Sequence, residues 1–340
     1  MAAAFWVSMP IIRNIVMGAA KNSGELQTIC NAGNITASEL EDAGYKLTLE
    51  QNCSIMEAAL AISGDAFLGL HIGEKTTPVV LGITGHLMQS SKDILTALQN
   101  LQQFTSTFTQ LYNFSLEVKN DEAYYYCEPL QLWNDISPET ARHSVDIAFA
   151  GILHSFRLLT GKSFQPKKIL YRYARILLTD EHERILRCRS LFNQHCNCIV
   201  FSLADMQSPV IGYNSELNIV FKNLLETELK KQHEGTSFTA QVREVILKHY
   251  QFTFPQLEEI AGYMLITPRT LQRKLQEENT SFRTLSDSIK EELACSLLNN
   301  NVLSITEIAY KLGYAEPSTF QRAFRQWTGK TPNAFRSSIS

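Results

Sequence analysis

The sequence predicts an α+β N-terminal domain, helices with a small and largely antiparallel sheet, followed by an all-α domain of two helix-turn-helix units joined by a long helix. Three observations predict it. A chain of 340 residues exceeds what one hydrophobic core usually organises. Strand-like runs occur only between about residues 114 and 201. After about residue 235 the periodicity is helical throughout, and one short pattern occurs there twice.

Taken in order, Met1 to Ala20 is apolar, but Arg13 lies inside the run and Pro10 splits it, so it reads as a buried helix starting near Pro10. A cytoplasmic protein is therefore expected. Residues 11 to 114 read as mainly helical. One helix around Glu57 to Ser63 ends at Gly64-Asp65, and another over Ser91 to Tyr112, started by Ser90 or Ser91 with Asp93, carries the stripe Ile94, Leu95, Leu98, Leu101, Phe104, Phe108, Leu111. Phe114 to Val118 and Ala123 to Glu128 flank Lys119-Asn-Asp-Glu122 as a hairpin, in which Tyr125 should point opposite to Tyr124 and Tyr126. Those tyrosines suit either sheet packing or the wall of a ligand pocket.

Ser137-Pro-Glu139 opens a long helix through Leu159, stopped at Gly161. Lys168 to Tyr173 and Cys198 to Phe201 are two further strands. Asn218 to Lys231 is a charged helix, and Gln232 to Ser237 has the polar composition of a linker. The expected division is 1–217 for effector sensing and dimerisation, 218–235 for linker helix and linker, and 236–340 for DNA binding. The helix-turn-helix units lie near 256–279 and 304–329, and helix stops fall at Pro255, Asn279, Asn299 to Asn301, Gly313 and Gly329.

Apolar residues at 44% and charged residues at 19% describe a globular chain. The net charge of −3 is uneven: from Thr236 onward there are 12 Lys/Arg against 10 Asp/Glu, and before it 19 against 24. That tilt permits nucleic-acid binding by the C-terminal part without predicting it. Seven scattered cysteines do not make a secreted disulfide framework. Cys188, His195, Cys196 and Cys198 cluster, but Cys196-Asn-Cys198 is tighter than the spacing metal sites use, so no metal and no cofactor are expected.

The repeated pattern carries the functional reading. Ile260-Ala-Gly-Tyr-Met-Leu-Ile-Thr-Pro268-Arg-Thr-Leu-Gln-Arg-Lys-Leu275 matches Ile308-Ala-Tyr-Lys-Leu-Gly-Tyr-Ala-Glu-Pro317-Ser-Thr-Phe-Gln-Arg-Ala-Phe324. Each copy is a short helix with an Ile-Ala pair, a tight turn, and a Pro-initiated helix whose apolar residues, Leu271 and Leu275 or Phe320 and Phe324, stand four apart on one face. The remaining faces hold Arg269, Thr270, Gln272, Arg273 and Gln276 in the first copy, and Ser318, Thr319, Gln321, Arg322 and Arg325 in the second. Arg pairs with guanine edges, Gln with adenine edges, and Ser/Thr with either bases or phosphates. A lone polar helix face is usually just solvated; two matching Thr-apolar-Gln-Arg cores, Thr270 to Arg273 and Thr319 to Arg322, point to double-stranded DNA. Phe282 to Leu298 can be a single rod that fixes the separation of the two units. Recognition helices about 34 Å apart enter successive major-groove segments.

Ser304 to Pro332, with Lys330 near its end, resembles the signature of the AraC/XylS family of bacterial transcription regulators. Asn279 stands where that family often has Gly, and Asn is the next-best residue for a left-handed helix end. The stretches Asp65 to Glu74, Leu81 to Met88 and Ser208 to Leu217 resemble the arabinose-binding-type N-terminal domain of the ornithine- and quorum-related subgroup. The resemblance implies a sequence-specific regulator, an effector-responsive activator with RNA polymerase as partner; a homodimer is expected because one C-terminal unit has little positive charge and paired half-sites raise effective affinity. A small-molecule effector is expected, but no residue is assigned to it, and the name of the domain type does not make arabinose the ligand. A regulator without a small ligand, controlled by abundance or a protein partner, is the alternative. An enzyme fused to a DNA-binding tail is opposed by the lack of a nucleophile elbow, a phosphate-cradling Gly-rich loop or paired metal-binding histidines, with His71, His86, His143 and His154 read as structural.

Overall fold

The computed structural model describes residues 5–174, 180–233, 237–250, 254–299 and 302–337. Residues 234–236 of the expected linker and 300–301 of the expected helix stop lie outside the described residues. The chain divides into two compact units: Met1–Pro129 with Glu139–Lys231, and Leu130–Pro138 with Gln232–Ser340.

The first unit begins with β1 (Trp6–Ser8), α1 (Met9–Ala19, with Pro10 in its first turn), α2 (Ser23–Ala32), β2 (Lys46–Thr48) and α3 (Leu49–Ser63). β1 and β2 pair as a short antiparallel ribbon that no sequence pattern announces, since each strand has three residues. A capping box of Thr48 and Gln51 starts α3, and Gly64 ends it in the left-handed conformation at φ 61°. Next come α4 (Leu68–Gly73), α5 (Ile83–Gln89) and α6 (Ile94–Gln103), whose N-cap is Asp93.

Here one expectation is corrected. The apolar stripe does not stay helical to Tyr112; α6 stops at Gln103 and a 3-10 turn covers Thr105–Thr107. The hydroxyls of Thr105 and Thr107 donate back to the carbonyls of Leu101 and Phe104, the local competition by which such residues end helices.

The hairpin forms from β3 (Tyr112–Lys119) and β4 (Glu122–Pro129). Its two-residue turn puts Asn120 and Asp121 at φ 48° and 60°, the positive values that a twisted hairpin demands. β4 alternates strictly between partly and fully buried residues, so Tyr125 faces the core and Tyr124 and Tyr126 face away. After α7 (Gln131–Ile136) comes the 23-residue α8 (Pro138–Thr160), ended by Gly161 at φ 69°. Then follow β5 (Lys168–Leu170), α9 (Asp180–Leu186), β6 (Ser190–Leu191), β7 (Cys198–Ser202), α10 (Leu203–Met206) and α11 (Ser215–His233).

The five-stranded sheet has the order β3-β4-β7-β5-β6, antiparallel except for the β5–β6 pair. β5 ends earlier than the Tyr173 its pattern suggests. Beyond Leu170, the Tyr171 amide donates to Leu191 and the Arg172 amide to the Asn197 side chain, which draws the chain off the edge of β7. Phe149, Phe156, Tyr125, Ile169, Ile199 and Phe201 meet in the core between α8 and the sheet. Cys198 is buried within β7, and among the described residues no group of His, Cys, Asp or Glu is placed to hold a metal ion.

Three histidines of the first unit are held by neighbouring side chains. Burial disfavours protonation of His71, but its rings of hydrogen bonds with Asp65 (2.5 Å) and Glu181 (2.7 Å) outweigh that and raise its pKa. Burial, with Arg142 beside it, lowers His143 to about 4. His86 stacks on Phe221 of α11.

The second unit consists of α7, α12 (Phe238–His249), α13 (Leu257–Tyr263), α14 (Pro268–Glu277), α15 (Phe282–Asn299), α16 (Ile305–Lys311), α17 (Pro317–Thr328) and α18 (Pro332–Ser337). No helix among the described residues is long and apolar enough to cross a membrane.

Candidate nucleic-acid interface

α13 with α14, and α16 with α17, are the two helix-turn-helix units. In each, the Ile-Ala pair (Ile260-Ala261, Ile308-Ala309) is buried under the apolar pair of the following helix: Leu271 and Leu275, or Phe320 and Phe324, all fully inaccessible. Capping boxes start both first helices, Gln256 with Glu259 and Ser304 with Glu307. Proline occupies the first turn of both second helices, and Thr267 caps α14 by accepting from the Thr270 amide. The turns differ. Gly313 takes φ 80° in the second unit, whereas the first has Leu265 at φ 54° and 93% exposed.

The residues singled out in the sequence sit where a partner could reach them. Arg269, Gln272, Arg273 and Gln276 are exposed along α14 at spacings of three, four and seven. Ser318, Gln321, Arg322 and Arg325 repeat that spacing along α17 and are exposed as well, with Thr319 beside them. Thr270 is half-buried, its hydroxyl 2.8 Å from that of Thr267, so it serves the cap. Lys330 is exposed in the turn beyond α17.

The cations of this unit divide into those used internally and those left exposed. Several cations are used internally. Arg243 pairs with Glu292; Lys311 donates to the buried Asp135 of α7 at 3.0 Å; Arg336 donates to the Leu303 carbonyl at 2.7 Å. Lys290 of α15 lies over the rings of Phe254 and Tyr314, 4.7 and 4.8 Å from their centroids, and burial lowers its pKa. Burial also pushes the Asp135 carboxyl up, against the opposing pull of Gln131 and Lys311. By contrast, Arg269, Arg322 and Arg325 make no ion pair among the described residues, and Arg273 pairs only along its own helix, with Glu277 at 2.6 Å. The uncommitted guanidinium groups are thus concentrated on α14 and α17.

Sequence reasoning missed three supports of this surface. Glu278, just past α14, accepts from the Phe238 and Thr239 amides at 2.6 and 2.8 Å and so ties down the start of α12. Lys290 bridges two aromatic rings from distant positions, and α7 joins the unit from between β4 and α8. The apolar Leu132 and Trp133 were the available hint for α7, but they fit any buried helix.

A family model described as the arabinose-binding domain of AraC transcription regulator, N-terminal, matches residues 24–210, and a helix-turn-helix domain model matches residues 260–338. The chain belongs to the AraC family of transcription regulators. This AraC-family chain is 22% identical over 311 residues to the Ornithine utilization regulator of Pseudomonas aeruginosa, covering 91% of this chain and 90% of that protein. An uncharacterized HTH-type transcriptional regulator of Mycobacterium tuberculosis is 36% identical over 107 residues, 32% of this chain and 31% of its own. The crystal structure of the transcriptional regulator CdpR from Pseudomonas aeruginosa matches 94% of this chain and 99% of its own, with 21% identity and a TM-score of 0.44. The AraC-family chain is a DNA-binding transcription regulator; its family and relatives are regulators, not enzymes.

Proposed function

We propose that this regulator reads promoter DNA with the exposed faces of α14 and α17, works as a homodimer through its first unit, and activates transcription through RNA polymerase in answer to a small-molecule effector. The observation that carries the reading is the repeated spacing of exposed, hydrogen-bonding side chains on two Pro-initiated helices, with Arg269, Arg322 and Arg325 held back from internal ion pairs. In this assignment Arg269, Gln272, Arg273 and Gln276 contact base edges. Ser318, Thr319, Gln321 and Arg322 mix base and phosphate contacts, Arg325 and Lys330 contact phosphates, and Thr270 sets the start of α14. Such a protein acts on the nucleoid in the bacterial cytoplasm.

Dimerisation is supported by α11, where Leu217, Val220 and Leu224 form an exposed apolar stripe at 48–50% exposure beside the face carrying Phe221 and Leu225 inward. A second copy of the same stripe is its natural cover, and two copies raise effective affinity for paired half-sites. The full chain titrated onto its own promoter should bind with an affinity that falls steeply with salt. Light scattering should give a dimer that Leu224→Glu converts to monomer. A folded full chain that shows no preference for the promoter over random DNA would overturn the DNA-reading assignment.

A further inference from the structure

Between the β3–β4 hairpin, α1, α8 and the turn at Pro78–Leu81, the first unit holds a pocket of about 110 Å³. One wall is a stack of rings: Tyr112 on Phe114 at 5.2 Å and Phe114 on Tyr125 at 5.8 Å. Among the described residues no Asp, Glu, Lys, Arg or His lines it. A mostly apolar pocket with a few polar groups is the usual form of a small-molecule site.

Gly151 gives independent evidence that the volume is retained. It sits mid-way along α8, where glycine is less favourable than alanine. Two other glycines in contact with this helix are sterically required: a Cβ on Gly69 would lie 2.3 Å from the His143 carbonyl oxygen, and one on Gly73 would lie 2.7 Å from that of Ile147. A Cβ on Gly151 would meet nothing nearer than Thr76 at 3.5 Å, an ordinary contact. Close packing does not demand this glycine, and the methyl it omits is pocket space.

We propose that this pocket binds a neutral, ring-sized aromatic molecule carrying one hydroxyl, a simple phenol, as the regulator's effector. The proposal rests on the effector control proposed above and names its chemical class. The size follows from volume: an apolar cavity of about 150 Å³ accommodates benzene, so a pocket slightly smaller takes a single ring with small side-chain adjustments. The stacked rings offer an aromatic face to pack against. The hydroxyl follows from the polar end. The Asn14 amide nitrogen donates to Thr76 at 2.8 Å and the Thr76 hydroxyl donates to the Ile72 carbonyl at 2.9 Å, which leaves Asn14 its carbonyl oxygen and one N–H, an acceptor and a donor that a single hydroxyl can satisfy. A sugar would need partners for several hydroxyls, and of the lining hydroxyls Thr76, Thr109 and Ser144 already donate to backbone carbonyls; an amino acid such as ornithine would bury charges with no counter-charge.

The test is calorimetric titration and thermal unfolding of the full chain with phenol, benzene, L-ornithine and L-arabinose. Phenol should bind saturably and raise the melting temperature with dose, and the two polar compounds should do neither. Gly151→Ala should melt no lower than the wild type without ligand, yet bind phenol about tenfold more weakly, as one methylene's worth of lost space does in a tight pocket. Asn14→Leu should remove the preference for phenol over benzene. Absence of phenol binding to the folded chain at millimolar concentration, unchanged binding in Gly151→Ala, or saturable binding of ornithine or arabinose that Gly151→Ala weakens would each overturn the assignment. Promoter affinity of the same samples is a separate readout. Phenol that binds in a Gly151-dependent way without altering promoter affinity would refute effector control and leave the pocket's ligand class standing.

Discussion

The two helix-turn-helix units share one skeleton and differ in how it is held. In the first, the core pair is Leu271 and Leu275, Tyr263 stacks on His249 at 3.5 Å between ring centroids, and the turn passes through Leu265 in a left-handed conformation. In the second, the core pair is Phe320 and Phe324, Lys311 at the position of Tyr263 donates to Asp135 of α7, and the turn passes through Gly313. The surfaces diverge as well: Arg273 is steered along α14 by Glu277, while Arg322 and Arg325 on α17 have no such partner among the described residues. The buried pairs keep their spacing but not their residue types, and the exposed Gln272-Arg273 and Gln321-Arg322 keep both, so the units differ in what holds each frame and in the partners of their arginines. Arg273 is aimed in advance by its neighbour, while Arg322 and Arg325 can settle on a base edge or a phosphate.

The largest expected effect breaks the skeleton. Phe320→Ala should cost about 3–5 kcal/mol in urea unfolding and Leu271→Ala about 2–5 kcal/mol, each abolishing promoter binding by unpacking its own unit. Lys311→Met should cost about 1.5–3 kcal/mol, because it strips a charged hydrogen-bond partner from a buried carboxylate, whereas Tyr263→Phe should be nearly silent. Equal costs for those two would mean that α7 does not anchor the second unit.

The surfaces are separated by affinity measurements on an operator library at several salt concentrations. Arg273→Ala should cost about 1–3 kcal/mol at one or two base pairs, while Arg325→Ala should weaken all sequences alike and lower the salt slope by about one. The smallest effect concerns the turns. Leu265→Gly should stabilise the protein by up to about 1 kcal/mol, since an L-residue in the left-handed region costs about 1–2 kcal/mol and this side chain, 93% exposed, buries nothing. Gly313→Leu should destabilise it. Thermal unfolding of both variants checks the pair.

What was legible in the sequence was whatever rests on neighbours along the chain. The Asn120-Asp121 turn, the Pro138 start and Gly161 end of α8, the left-handed Asn279 at φ 58°, and the matched polar faces of α14 and α17 all follow from local chemistry. The end of α6 was missed because Phe104, Phe108 and Leu111 keep helical spacing while Thr105 and Thr107 bond back to the chain and unwind it. Lys290 between Phe254 and Tyr314, and Asp135 with Lys311, join residues far apart in sequence, where periodicity carries no information. The pocket is invisible for a related reason: an unfilled volume has no residue to announce it, and Gly151 acquires its meaning only beside Thr76.

The central claim is that both Pro-initiated helices enter the major groove together, and methylation protection of guanine N7 on the promoter, read with the full chain bound, tests it most directly. Within each half-site the account predicts two protected patches about 10–10.5 base pairs apart on one face of the duplex, with Arg273→Ala erasing one and Arg322→Ala the other. A single patch, or two that fade together in either variant, would contradict it.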